Sequence, residues 1–188
     1  MTQITMQLSG FDSRRVIGTG TALDSARLRY LLGEYFRVDP RNVHAYVIGE
    51  HGDSEIAAWS TANISGIPVN DFCELRGHFE HDESMQRIAE DVKNSAYEII
   101  AKKKATYFGV AMAVRRICEA IIRDEKSILP VTNLMHGEFG ITDMALSMPA
   151  IVGANGVEKQ VPIALDEEET EKLKESADTL KKIIEEVL

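Results

Sequence analysis

Apolar positions recur at helical spacing along much of the chain, and the stretches between them carry the polar chemistry. Met1, Ile4 and Leu8 share one face, and Gly10 stands where a left-handed cap would end that helix. Leu28, Leu31, Leu32, Tyr35 and Phe36 form the stripe of a second helix, with Thr21 as its N-cap. Asp39-Pro40-Arg41-Asn42 is a turn, and Val43 to Ile48 reads as the strand after it. Ala57 to Asn63, with Trp59 as a packing residue, is irregular and leads to a short apolar edge at Gly66-Ile67-Pro68-Val69.

From Asp82 to Lys104, the positions of Met85, Ile88, Ala89, Val92, Ala96, Ile99 and Ile100 predict one long amphipathic helix. Thr106 opens the next, in which Val110 to Ile122 are apolar nearly all round and so predict burial on several sides. Ser127 to Thr132, Met144 to Met148, Ala150 to Val152 and Gln160 to Ile163 are short runs between turns, as in antiparallel strands, with Asn155-Gly156 as a hairpin turn. Asp166-Glu167-Glu168-Glu169 opens a terminal helix with its acids at the favourable end of the dipole. The stripe of that helix is Leu173, Leu180, Ile183, Ile184 and Leu188.

A chain of 188 residues with 44% hydrophobic residues fits one domain with a real core. Its net charge of −9 disfavours nucleic acid and anionic membrane as partners. The one basic cluster, Lys102-Lys103-Lys104, is read as the dipole-matched end of a helix. Cys73 and Cys118 are read as buried small hydrophobes in a reducing cytoplasm, because two thiols without a secretory start do not make a disulfide framework. No apolar run reaches membrane-spanning length, since Arg115 and Arg116 interrupt the nearest candidate.

The candidate chemistry gathers at Gly49-Glu50-His51-Gly52-Asp53-Ser54, where a strand ends by delivering one histidine between two glycines into a polar turn. Upstream, Asp24 and Arg27 interrupt the pattern of the second helix. An aspartate beside His51 would hold its tautomer and raise its pKa, and Arg27 suits a carboxylate with two parallel hydrogen bonds. Asp24 reads equally well as a capping-type carboxylate. Gly18-Thr19-Gly20 imitates a phosphate loop, but Leu23 occupies the place of the third glycine, and the stretch is rejected as a pyrophosphate site. His78 and His81 lack companions for a metal set, so no metal is expected and a solvated loop is predicted there.

Val16 to Arg27 followed by Gly49 to Ser54 resembles the catalytic half of the bacterial L-lactate dehydrogenases, and the likeness continues through Ala105 to Gly109, Ile128 to Val131 and Val152 to Gly156. The resemblance implies an α+β fold of largely antiparallel sheets packed with long helices, in which residues 1–188 are the substrate-binding domain and residues 1–10 the end of an inter-domain helix. The native alternative for residues 1–10 is a short amphipathic segment of its own. The family's NAD-binding Rossmann domain is absent from this sequence. By resemblance, His51 is the acid–base, Asp24 its partner, Arg27 the carboxylate clamp, Thr106 a wall of the substrate pocket and Thr19 a neighbour of the nicotinamide. Arg29 and His44 match positions that bind fructose bisphosphate at a subunit interface. The implied substrates are pyruvate and L-lactate in a homotetramer, with the isolated chain inactive. The alternatives are a malate dehydrogenase domain and an oligomerisation or effector-binding module.

Overall fold

The first long helix and the strands that follow it set the frame for everything else. In this computed structural model, which describes residues 1–79 and 81–187, α1 covers Thr2–Ser9 and ends at Gly10 in a left-handed cap with φ 68°. Leu188, expected on the terminal stripe, lies outside the described residues, as does Glu80 in the loop that carries His78 and His81.

Helix α2 runs from Ala22 to Phe36 and buries Leu28, Leu32 and Phe36, one turn apart on a single face. Each of these side chains is at most 1% exposed, and burial of that completeness contributes about 1.5–3 kcal/mol per residue. The helix ends at Arg37 in the left-handed region. Gly33 lets the chain return against it, because a Cβ there would lie 2.8 Å from Pro40 Cγ.

The predicted strand over Val43 to Ile48 is divided. β1 (Val43–His44) pairs with β4 (Asn63–Ile64), which pairs in turn with β5 (Ile67–Pro68), whereas β2 (Val47–Ile48) pairs with β3 (Ile56–Ala57) in a separate antiparallel sheet. Helix α3 (Val69–Leu75), where only an apolar edge is predicted, follows β5 and buries Val69 and Cys73. α4 (Asp82–Lys103) matches its prediction and buries Met85, Ile88 and Val92 against α2. Lys102 and Lys103 lie in its last turn, as dipole compensation requires.

α5 begins at Phe108 and ends at Ile122, so Thr106 precedes the helix without opening it. The expectation of burial on several sides is also corrected. Only Ile117 and Ala120 are buried, over the sheet of β6 (Ser127–His136), β7 (Thr142–Gly153) and β8 (Gly156–Gln160), while Tyr107, Phe108, Val110, Met112 and Val114 are exposed. Cys118 lies on this helix and is exposed, contrary to its reading as a buried thiol; Cys73 is buried and both are free. The expected break at Pro149, between the runs Met144 to Met148 and Ala150 to Val152, does not occur. Pro130 pairs with Pro149 inside a continuous antiparallel ladder, so two predicted short runs merge into β7, and the last strand falls at β8, before Gln160 to Ile163. α6 (Glu167–Val187) buries Leu173 and Ala177 against Ile48, Met135, Leu146 and Met148.

Candidate active site

Two hydroxyls in the first turn of α2 fasten that helix to β2. Thr21 occupies the N-cap position, but its hydroxyl does not cap the helix and donates instead to the Val47 carbonyl at 2.5 Å. Ser25 Oγ accepts from the Val47 amide at 2.9 Å and donates to the Val47 carbonyl at 3.3 Å. Both side chains are fully buried, so these bonds answer backbone groups that would otherwise be costly to desolvate. Asp24, between Thr21 and Ser25 in the same turn, is thereby held beside the end of β2.

The strand leaves β2 through Gly49, whose φ of 88° L-residues rarely adopt and whose amide and carbonyl exchange 2.9 Å hydrogen bonds with Ser147 of β7. The next amide, that of Glu50, donates to Ser176 Oγ of α6 at 2.8 Å. The Glu50 carboxylate closes the turn by accepting from the Ser54 amide and hydroxyl. His51 is thus carried out of the sheet by backbone fixed on two sides.

There the imidazole Nδ1 lies 2.7 Å from Asp24 Oδ2. Oδ2 has no other partner among the described residues, so the imidazole is the group that compensates this buried oxygen. Asp24's side chain is 3% exposed and that of His51 53%, so the acid is fixed and the imidazole open to solvent. Asp24 raises the His51 pKa, burial opposes the rise, and Glu55 adds to it while Arg27 subtracts. Arg27 Nη1 donates to the other Asp24 oxygen at 3.0 Å, its side chain 17% exposed. One buried carboxylate therefore anchors both an imidazole and a guanidinium, and the capping reading of Asp24 gives way to the pairing.

Sequence reasoning missed Glu55. One ligand-capable atom each of Asp24, His51 and Glu55 lie within 4.8 Å of one another. Burial, and then Asp24, push the Glu55 carboxyl up to about 7. The available signal was its place four residues after His51, at the end of a turn that the Glu55 amide closes on Gly52 O at 3.2 Å.

Thr106 is half-buried ahead of α5; in the first turn of that helix, a Cβ on Gly109 would be 3.1 Å from Leu23, the residue before Asp24. Gly18 and Thr132 of β6 exchange amide–carbonyl bonds of 3.1 Å in each direction, which leaves the Gly18 amide unavailable to a phosphate and supports rejection of the glycine decoy. Thr19, between Gly18 and Gly20, is half-buried, and its carbonyl accepts from Ala22 N at 3.2 Å. Arg29 turns away from Arg27 and donates to the Ala45 carbonyl at 3.2 Å, in the break between β1 and β2. Burial lowers its pKa and raises that of Tyr46. His44, next to Ala45, is exposed on β1. The loop of His78 and His81 is not simply solvated: His78 packs on Tyr35 with ring centroids 4.9 Å apart, and His81 contacts Asn70 Oδ1 and the His78 carbonyl. No described helix is long and apolar enough to cross a membrane.

Comparison with known proteins gives the family that the sequence resembles. The family model for the lactate/malate dehydrogenase alpha/beta C-terminal domain matches residues 21–188. The chain is 54% identical to an L-lactate dehydrogenase of Acetivibrio thermocellus over 98% of its own length and 58% of that protein's. It is 50% identical to L-lactate dehydrogenase 1 of Clostridium acetobutylicum, over 100% of its length and 60% of the relative's. A crystal structure of the minor L-lactate dehydrogenase from Enterococcus mundtii in the ligands-bound form superposes with a TM-score of 0.95 at 41% identity, covering all of this chain and 59% of that one. The chain thus spans about three fifths of the length of the relatives it matches. The buried Asp24 that holds both His51 and Arg27 stands within the matched region, and the chain belongs to the lactate/malate dehydrogenase family as a C-terminal domain of the bacterial L-lactate dehydrogenase type.

Proposed function

We propose that this chain is the acid–base and substrate-binding part of an NAD-dependent L-lactate dehydrogenase interconverting pyruvate and L-lactate. The observation that carries the reading is the single carboxylate of Asp24 in contact with His51 at 2.7 Å and Arg27 at 3.0 Å. Nδ1 faces Asp24, so the other ring nitrogen, Nε2, is free to give its proton to the carbonyl oxygen of pyruvate. The imidazole ends neutral and recovers the proton when the hydroxyl of lactate is oxidised. Asp24 stabilises the charged ring, fixes its tautomer and keeps the Arg27 fork in place to receive the substrate carboxylate.

Reduced nicotinamide, when bound, supplies the hydride that reaches the carbonyl carbon. The residues here fit only the reacting end of that cofactor: a solvent-open imidazole carries a proton, Thr19 lies beside a backbone already committed to β6, and no pyrophosphate cradle is formed there. The 188-residue chain alone is accordingly inactive in this reading. Pyruvate-dependent oxidation of reduced NAD by the purified chain tests that claim, and measurable turnover would refute it. Turnover of pyruvate against oxaloacetate, with a dinucleotide-binding domain preceding this chain, separates the lactate from the malate reading.

Arg29 and His44 form the proposed site for fructose bisphosphate, a guanidinium and an imidazole being suited to a phosphate dianion. A second reading, assembly or effector binding without catalysis, is favoured by the exposed apolar side chains of α5. Light-scattering mass with and without fructose bisphosphate tests it, and a monomer indifferent to the sugar argues against both self-association and the effector site. The reading places the protein in the cytoplasm.

A further inference from the structure

Glu55 is a carboxylate that the lactate dehydrogenase chemistry above does not use. It follows the His51 turn, and its amide bonds back to Gly52 O, so the side chain returns toward the residues it has just left. Its carboxyl is half-buried at the edge of a cavity of about 110 Å³ whose other walls include Leu28, Val47, Ala57 and Val92. A carboxylate there gives up hydration without recovering it from an apolar wall. One oxygen lies within 4.8 Å of a nitrogen of His51 and an oxygen of Asp24.

Asp24 and Arg27 face it from α2, His51 and Asp53 from its own loop, and Lys93 and Glu90 from α4, while Asp166, Glu168, Glu169, Lys172 and Glu175, at the start of α6 and along it, line the adjoining groove. Lys93 is already committed, since its ammonium donates to the Asp53 carbonyl. Arg27 is held by Asp24. The nearest cation with a proton to exchange is therefore the imidazole.

We propose that Glu55 is a positioning residue for His51, a second carboxylate that shares one proton with the imidazole and so sets the pH range over which His51 can donate. Burial and Asp24 bring the Glu55 carboxyl up to about 7, and Glu55 in turn helps Asp24 raise the His51 pKa. Two titratable groups that close lose their protons as a coupled pair. Deprotonated Glu55 keeps His51 charged to higher pH, and protonated Glu55 releases that hold. Asp24 fixes the ring, while Glu55 adjusts its charge.

The inference rests on His51 being the acid–base group, but its test uses neither substrate nor cofactor, so its failure leaves the dehydrogenase reading untouched. The 188-residue chain, labelled with carbon-13, is titrated by NMR as wild type and as Glu55→Gln, following His51 Cε1 and Glu55 Cδ. Glu55 is only part-ionised over this range, and a full unit charge 4.8 Å away is worth about 0.6 pK unit at the dielectric of bulk water, so Glu55→Gln should lower the His51 midpoint by about a few tenths of a pK unit or more. In wild type, Glu55 Cδ and His51 Cε1 should share an inflection. An unchanged His51 midpoint in Glu55→Gln, with the backbone amide spectrum preserved, overturns the proposal and leaves Glu55 as a wall of the cavity. Should Glu55→Gln fail to fold, the wild-type curves decide, and absence of a shared inflection overturns the proposal equally.

Discussion

Asp24 Oδ2 and His51 Nδ1 are 2.7 Å apart although the residues come from the first turn of a helix and a loop beyond the next strands. The pair ties stability to pH. The folded-state pKa of His51 is raised, chiefly by Asp24, so the stability it contributes is fully present below the ordinary histidine value and is lost as pH rises through the folded value. Asp24→Asn should therefore be more destabilising at pH 6 than at pH 9, read by urea unfolding at both. It should also lower the His51 midpoint in an NMR titration. Equal losses at the two pH values would show that Asp24 acts only on Arg27 and packing.

Glu55→Gln should move stability the other way. A carboxyl raised from 4.5 to about 7 contributes stability at low pH that disappears as pH climbs to about 7, because the folded state holds its proton more tightly. The variant has no such linkage. Relative to wild type it should gain about 1 kcal/mol between pH 5 and pH 8, a figure reduced to allow for solvent screening of a half-exposed group. Parallel stability curves for the two proteins would contradict this.

Ser25→Ala should cost about 1–3 kcal/mol, because the buried Val47 amide loses the hydroxyl it donates to. The same change loosens α2 from β2 just where Asp24 is positioned. Thermal unfolding with a parallel His51 titration checks both, and a variant as stable as wild type would remove Ser25 from the account.

Gly20→Ala should cost about 2–5 kcal/mol. Gly20 has φ 52°, and a Cβ would run into Ser147 Oγ and lie 2.7 Å from the Thr132 amide nitrogen. The Thr132 amide is backbone and leaves the added Cβ little room. Urea midpoints of the two proteins measure the loss.

The chemistry was legible where it is local. Asp24 and Arg27, three residues apart, fall on adjoining positions of one helix, and a histidine between glycines after an apolar run announces an exposed imidazole. Their meeting was supplied by family likeness and is seen here through Thr21 and Ser25, whose hydroxyls fasten α2 to Val47. Glu55 was not legible, because its importance comes from a turn that folds back within 4.8 Å of His51 and from burial beside α4. The split of residues 43–48 into β1 and β2 was hidden for a related reason: alternation along a strand says which face is buried, not which partner takes each half. α5 misled in the opposite sense. Its apolar sequence predicted enclosure, yet the described residues leave Phe108 and Met112 exposed, so composition reported a surface to be covered without reporting by what.

The central claim is that His51 moves the proton and Arg27 holds the substrate's carboxylate. It is tested most directly by steady-state pyruvate reduction, with a dinucleotide-binding domain preceding this chain, comparing wild type with His51→Gln and Arg27→Lys. The account predicts a loss of about 10²–10⁴-fold in kcat for His51→Gln, the ordinary worth of a positioned acid. It predicts a KM for pyruvate raised at least about tenfold for Arg27→Lys, because an ammonium cannot reproduce the two-pronged grip. Wild-type turnover in His51→Gln would contradict it.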